Sequence, residues 1–144
     1  MAWDIPGFDR SWTAGGSAGV ANSDLSVAAT VNGINCPNGY QYMFVKFSGG
    51  LLVPVAAATD NAVGVLQNKP IPGQPGQVRL SGVTRVRSSD SAITVGTKVY
   101  LDAFGMVTHT QTSTAGCVGV AEEVSATNAG YVIAVCLKPF GAVI

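Results

Sequence analysis

Apolar and polar positions alternate along this chain in short runs, and no long window repeats its apolar residues at helical spacing. The alternation predicts strands over 25–31, 42–47, 51–55, 62–66, 77–80, 83–87, 97–101, 106–109, 118–121 and 131–137. Eighteen glycines and seven prolines fall mostly between these runs. Many short strands separated by turn residues define an all-β chain, a small antiparallel β-sandwich or β-barrel. At 144 residues it holds one domain with a substantial core.

Several joints carry their own chemistry. Ser48-Gly49-Gly50 reads as a hairpin loop, because glycine supplies positive φ. The run from Pro70 to Gly76 cannot be strand interior, since Pro70, Pro72 and Pro75 lack ladder donors. It is expected to be a stiff loop and a contact candidate. Ser81-Gly82 predicts a bulge or sharp bend in a long strand. Around it, Arg79, Arg85 and Arg87 share one parity, with Val78, Leu80, Val83 and Val86 between them. This suggests a wet face and a buried face whose phase shifts at Gly82. The arginines fit either a solvated sheet face or a contact with carboxylates on a partner. A short echo, Val63-Gly64-Val65 and Val118-Gly119-Val120, suggests two related hairpins within one barrel.

Residues 1–24 differ in character from residues 25–144. Trp3, Ile5, Phe8 and Trp12 precede a Gly- and Ser-rich tether. They read as apolar anchors on an extended arm, docked on the arm's own body or on a partner.

Composition narrows the function. Only 11% of residues are charged, against about 25% in an average soluble domain, and the eight basic residues balance the eight acidic ones. Such a chain has no net field to draw in nucleic acid or an anionic membrane. No apolar run is long enough to cross a bilayer as a helix, and no signal peptide is visible, so synthesis in a cytoplasm is expected. Cys36, Cys117 and Cys136 are odd in number and show no CxxC spacing. Cys117 and Cys136 sit in apolar runs and are expected to be buried free thiols. Neither a metal site nor a cofactor is expected.

Candidate chemistry is thin. Gly15-Gly16-Ser17-Ala18-Gly19 matches the nucleophile-elbow pattern, but no strand precedes it and no helix follows. His109, the single histidine, would have to serve any triad, and it reads as a solvated strand-end residue. No phosphate-binding Gly-rich motif occurs. Glu122 and Glu123 are adjacent, so in a strand they would face opposite ways. No enzyme, and no small-molecule substrate, is expected.

From Tyr42 to Pro139 the order of segments resembles the capsid cement (decoration) family of tailed bacteriophages. Three pieces carry the resemblance: Gly64-Val65-Leu66-Gln67-Asn68-Lys69-Pro70, then Val78-Arg79-Leu80-Ser81-Gly82-Val83, then Val118-Gly119-Val120-Ala121. It covers about two-thirds of the chain and omits the arm. It implies a β-sandwich or barrel that binds the outer surface of a phage head, commonly as a homotrimer. The implied partner is the major capsid protein, and the family has no catalytic residues to carry over. Trp3, Ile5, Phe8, Trp12, Pro70, Pro72, Pro75, Arg79, Arg85 and Arg87 are the expected interface residues, toward shell or sister subunit. A head-fibre or lectin-like module gripping host glycans is the competing expectation. It would present Tyr40, Tyr42, Tyr100 and Tyr131 on its surface.

Overall fold

A computed structural model describes residues 8–14, 25–90, 93–111, 116–123 and 132–138, which hold eleven strands and no helix. The strands are β1 (Phe8–Thr13), β2 (Ala29–Val31), β3 (Ile34–Cys36), β4 (Phe44–Ser48), β5 (Leu51–Pro54) and β6 (Ala62–Leu66). They continue as β7 (Pro75–Arg87), β8 (Lys98–Leu101), β9 (Val107–Thr108), β10 (Cys117–Ala121) and β11 (Val132–Leu137). One antiparallel sheet runs β5-β4-β6-β7-β11-β10-β8-β9, with β1 added on β7 and the β2-β3 hairpin separate. The sheet curls into a half-barrel, so the chain is all-β.

The echo in the sequence marks a larger repeat. In β4 to β7 a hairpin (β4-β5) is followed by a strand on the far side of β4 and then by β7. Strands β8 to β11 repeat that order. Registers match as well: Val65 faces Arg79 as Val120 faces Cys136, and Val65 faces Phe44 as Val120 faces Lys98. Gly64 and Gly119 sit at the same place in the two units. A Cβ on Gly64 would stand 2.4 Å from the Arg79 carbonyl oxygen, and one on Gly119 would stand 2.5 Å from that of Cys136. Each glycine is there because the neighbouring strand's backbone leaves no room for a side chain.

β7 joins the units. Its first half pairs with β1 and β6, and its second half, from Gly82 on, pairs with β11. Gly82 adopts φ 82°, a conformation other residues reach only with strain. The expected bend is therefore present, within one strand rather than two. The expected phase shift is not. Gly76, Val78, Thr84 and Val86 are all buried, so one parity stays inside through the bend. Val83 is 46% exposed and Arg87 only 8% exposed, both the reverse of the sequence expectation. The alternation runs unbroken past Gly82, so the expected phase shift is what put Val83 on the wrong face.

Other differences are local. The strand expected over 25–31 is confined to β2, because residues 25–28 form a turn, and β1 and β3 were missed. The β2-β3 hairpin turns on Asn32 and Gly33, both at positive φ. Pro75 opens β7, a position at which a strand tolerates its missing donor.

Two apolar layers result. Between the units lie Phe44, Val65, Val86, Val99, Ile133 and Val135, among others. On the opposite face of the N-terminal unit, Val45, Leu52, Leu66 and Val78 pack under Leu25, Tyr40 and Met43. Residues 25–43 thus cap that unit. Alternate residues of β4 and β6 feed different layers, which is why both faces of this half-sheet are apolar.

Asp60 fixes the turn that follows β5. Its carboxylate accepts from the Ala56 and Ala57 amides at 2.8 and 2.9 Å and from Lys46 Nζ at 2.9 Å. The Lys46 bond, then the backbone amides, hold its pKa below the ordinary value of 3.8. A depressed folded pKa stabilises the protein above the unfolded value, and that contribution is lost as pH falls through the folded one. Asp60→Asn should flatten the stability-versus-pH curve below about pH 4. Denaturant midpoints measured from pH 2 to 6 on both proteins check this, and parallel curves would contradict it.

Candidate interaction surface

The arm residues that the structure describes belong to the body. β1 pairs along β7 from Ser81 to Pro75. Asp9 stands opposite Arg79, and their side chains meet at 2.7 Å. The bond to Asp9 raises the Arg79 pKa further. The Arg79 Nη1 also donates to the Val83 carbonyl at 2.8 Å. Trp12 is half-buried against the N-terminal layer, meets the Phe47 ring edge-on at 5.1 Å, and carries the Arg10 guanidinium over its own ring at 5.3 Å. Phe8 takes part through its backbone pairing. Trp3 and Ile5 lie outside the described residues, as does the Gly15–Gly19 motif.

The proline loop is braced at both ends. The Asn68 side chain donates to the Pro75 carbonyl at 3.1 Å and accepts from the Gln77 amide at 2.9 Å. Ala14 holds the tip, donating to Gln74 and accepting from Gly73. Pro70 is buried, while Ile71, Pro72 and Pro75 are exposed. Ile71 is 50% exposed, so the loop presents a firm apolar tip to solvent.

The three arginines separate. Arg79 is engaged with Asp9. Arg87 is buried, its amide donating to the Tyr42 carbonyl at 2.8 Å. Arg85 projects outward, its side chain 59% exposed and only loosely opposed by Glu123 at 3.7 Å. Between Arg79 and Arg85 lies an open groove of about 350 Å³, also lined by Tyr42, Gln67, Val83 and Thr84. The Thr84 hydroxyl accepts from Gln67 Nε2 at 2.8 Å, so the groove floor is already hydrogen-bonded.

The remaining chemistry is structural. His109 is exposed just beyond β9 and its Nδ1 pairs with Asp90 Oδ2, which also accepts from the Thr108 hydroxyl. Among the described residues no group of three His, Cys, Asp or Glu side chains could hold a metal ion. All three cysteines are free, but only Cys36 is buried; Cys117 is half-buried and Cys136 exposed, which corrects the expectation for that pair. Cys136 lies on an outward-facing position of β11, where an apolar run does not imply burial. Burial pushes the Cys36 thiol pKa up, against a smaller opposing effect of Arg87, and keeps it inert. Tyr40 is buried, Tyr42 and Tyr100 are half-buried, and Tyr131 lies outside the described residues.

Sequence reasoning missed one feature of this surface. In the C-terminal unit Val83, Cys136 and Val120 form a row across β7, β11 and β10 on the side away from the core. The apolar character of Val83 and Cys136 suggests burial, and the structure shows both exposed. The echo gave no signal of it, since Val65, the counterpart of Val120, is buried.

The described residues form an all-β body with a braced proline loop and an outward arginine. The chain belongs to the phage cement protein family, whose model matches residues 44–137. That range spans both four-stranded units, from the start of β4 to the end of β11. The fold is similar to a chain in a solved structure described as the capsid of Myoviridae phage XM1. The TM-score is 0.56 and the identity 20%, over 96% of this chain and 87% of that one. No curated protein matches the chain. The protein's role is thus a structural one in a phage capsid.

Proposed function

We propose that the protein binds the outer surface of a phage head after synthesis in the host cytoplasm. There it ties neighbouring major capsid subunits together as a homotrimer. Family membership over both units is the observation that carries this reading. The low charge supports it, because a surface poor in Lys and Glu loses little solvation when another protein covers it. Modest affinity suffices, since each copy stabilises only the assembled state and many copies act on one lattice. No catalytic step belongs to this role, and neither nucleic acid nor membrane is a partner in it.

The shell contact falls to the Ile71–Pro75 tip and to Arg85 rather than to Trp12, Arg79 and Arg87, which have partners within the chain. Arg85→Ser combined with Ile71→Ser should reduce occupancy of undecorated heads at least tenfold. Both side chains are exposed, so subunit stability should change by no more than about 0.5 kcal/mol for each. Deleting residues 1–14 should do the opposite, lowering stability while folded protein still binds. Occupancy gels with a melting curve for each variant read both effects. Equal occupancy for the double variant, or binding lost with residues 1–14 while stability holds, would move the contact to the arm.

A further inference from the structure

The groove between Arg79 and Arg85 is bordered by one cation whose donors are unused. It opens at the bend of β7, with Arg79 before Gly82 and Val83, Thr84 and Arg85 after it. Arg79 is fully engaged. Its Nε meets Asp9 at 2.7 Å, Nη2 meets the other Asp9 oxygen at 3.4 Å, and Nη1 donates to the Val83 carbonyl at 2.8 Å. Asp9 cancels its charge, so Arg79 is a fixed wall of the groove. The Gln67 side chain is committed too, donating to the Val65 carbonyl at 3.0 Å and to Thr84 Oγ1 at 2.8 Å. Arg85 differs. Its guanidinium makes no hydrogen bond among the described residues. Glu123, the carboxylate that opposes it, stands 3.7 Å away, and the same Glu123 oxygen already accepts from the Ala134 amide at 2.8 Å.

An arginine presents its N–H donors as a planar fork that fits a carboxylate at two points. Here the fork borders a groove of about 350 Å³. Val83, 46% exposed, and half-buried Ala134 line the same groove and offer an apolar surface to a methylene stem. Tyr42 lines it as well, and its hydroxyl has no hydrogen-bond partner among the described residues. Of the two arginines in the lining only Arg85 is not closely neutralised. The groove therefore suits a single negative charge better than a doubly charged phosphate.

We propose that the groove receives an acidic side chain of the shell protein, its carboxylate in the Arg85 fork and its stem against Val83 and Ala134. Glu123 is a placeholder that the incoming acid displaces from Arg85. This rests on the reading that the protein binds a phage head, and it names the chemistry of one contact there. The exchange costs little, because an ion pair this long and this exposed contributes almost nothing. Glu123 also repels a second acid brought to the same cation, so its charge weakens the contact.

Glu123→Gln tests the exchange, because glutamine keeps an oxygen for the Ala134 amide and removes the competing charge. It should bind undecorated heads roughly threefold tighter than the parent. Arg85→Gln should bind roughly fivefold more weakly, and adding Glu123→Gln to it should change nothing further. Glu122→Gln makes the same change of net charge one residue away and should bind as the parent does. Occupancy of heads titrated with each protein gives the affinities, and melting curves certify that each variant is folded. If the parent binds but Glu123→Gln binds no tighter, or gains equally once Arg85 is replaced, the inference is overturned while shell binding stands. An equal gain in Glu122→Gln would assign the effect to overall charge and overturn it as well. Altered self-association of the isolated Glu123→Gln protein, with head occupancy unchanged, would overturn it by giving the groove to a second copy. If the parent itself fails to bind heads, shell binding and this contact fall together.

Discussion

Phe44→Ala is expected to lower the free energy of unfolding by about 3–5 kcal/mol, the range for truncating a fully buried aromatic residue. Phe44 is 0% exposed and lies in the layer where the two units meet. Its loss would leave a cavity that neither half-sheet can close, because each is fixed by its own ladder. The Phe44 amide donates to the Gly105 carbonyl at 2.7 Å, which ties β4 to the turn between β8 and β9. A cavity there loosens the contact between units rather than one unit alone. At this chain length the melting temperature should drop by roughly 10 °C. Denaturant unfolding of the variant measures the change. A loss below about 1 kcal/mol would mean that the units do not share a core.

The second large effect concerns Gly64 and Gly119. Alanine at either position places a Cβ within 2.4 or 2.5 Å of a carbonyl oxygen on the adjacent strand. Backbone in a central ladder yields only by breaking its own hydrogen bonds. Each substitution should cost about 2–3 kcal/mol, at the upper end for overpacking. The two costs should agree within about 0.5 kcal/mol, because their surroundings are equivalent: a carbonyl oxygen and a valine methyl in each case. Gly49→Ala is the control. Its Cβ would meet nothing within 4 Å, so only its positive φ opposes the change, at about 1 kcal/mol. A Gly119→Ala protein as stable as the parent would refute the packing equivalence of the units.

The all-β architecture was legible because short alternation and turn residues are local signals. Residues 62–66 were delimited to the residue, and the bend at Gly82 followed from one glycine in a long apolar run. The pairing of β1 was not legible, since the match of Asp9 to Arg79 spans seventy positions and has no local mark. Burial beyond Gly82 failed because a phase shift was expected there, whereas the alternation set by Gly76 and Val78 runs on unbroken to Thr84 and Val86. Val83 faces outward on that unbroken parity, and Cys136 faces outward on the alternation of β11. At the candidate site, sequence placed the proline loop and Arg85 outside. Only the fold separated Arg79 and Arg87 from Arg85, by giving the first an internal partner and burying the second.

Reinforcement of a phage head by this protein is tested by mixing purified protein with matching undecorated heads, sedimenting them, and heating the decorated and bare heads in parallel. Binding should saturate at a fixed ratio to the major capsid subunit, with decorated heads surviving to a higher temperature. Failure to co-sediment at any concentration, or binding that leaves the heads' thermal survival unchanged, would contradict it.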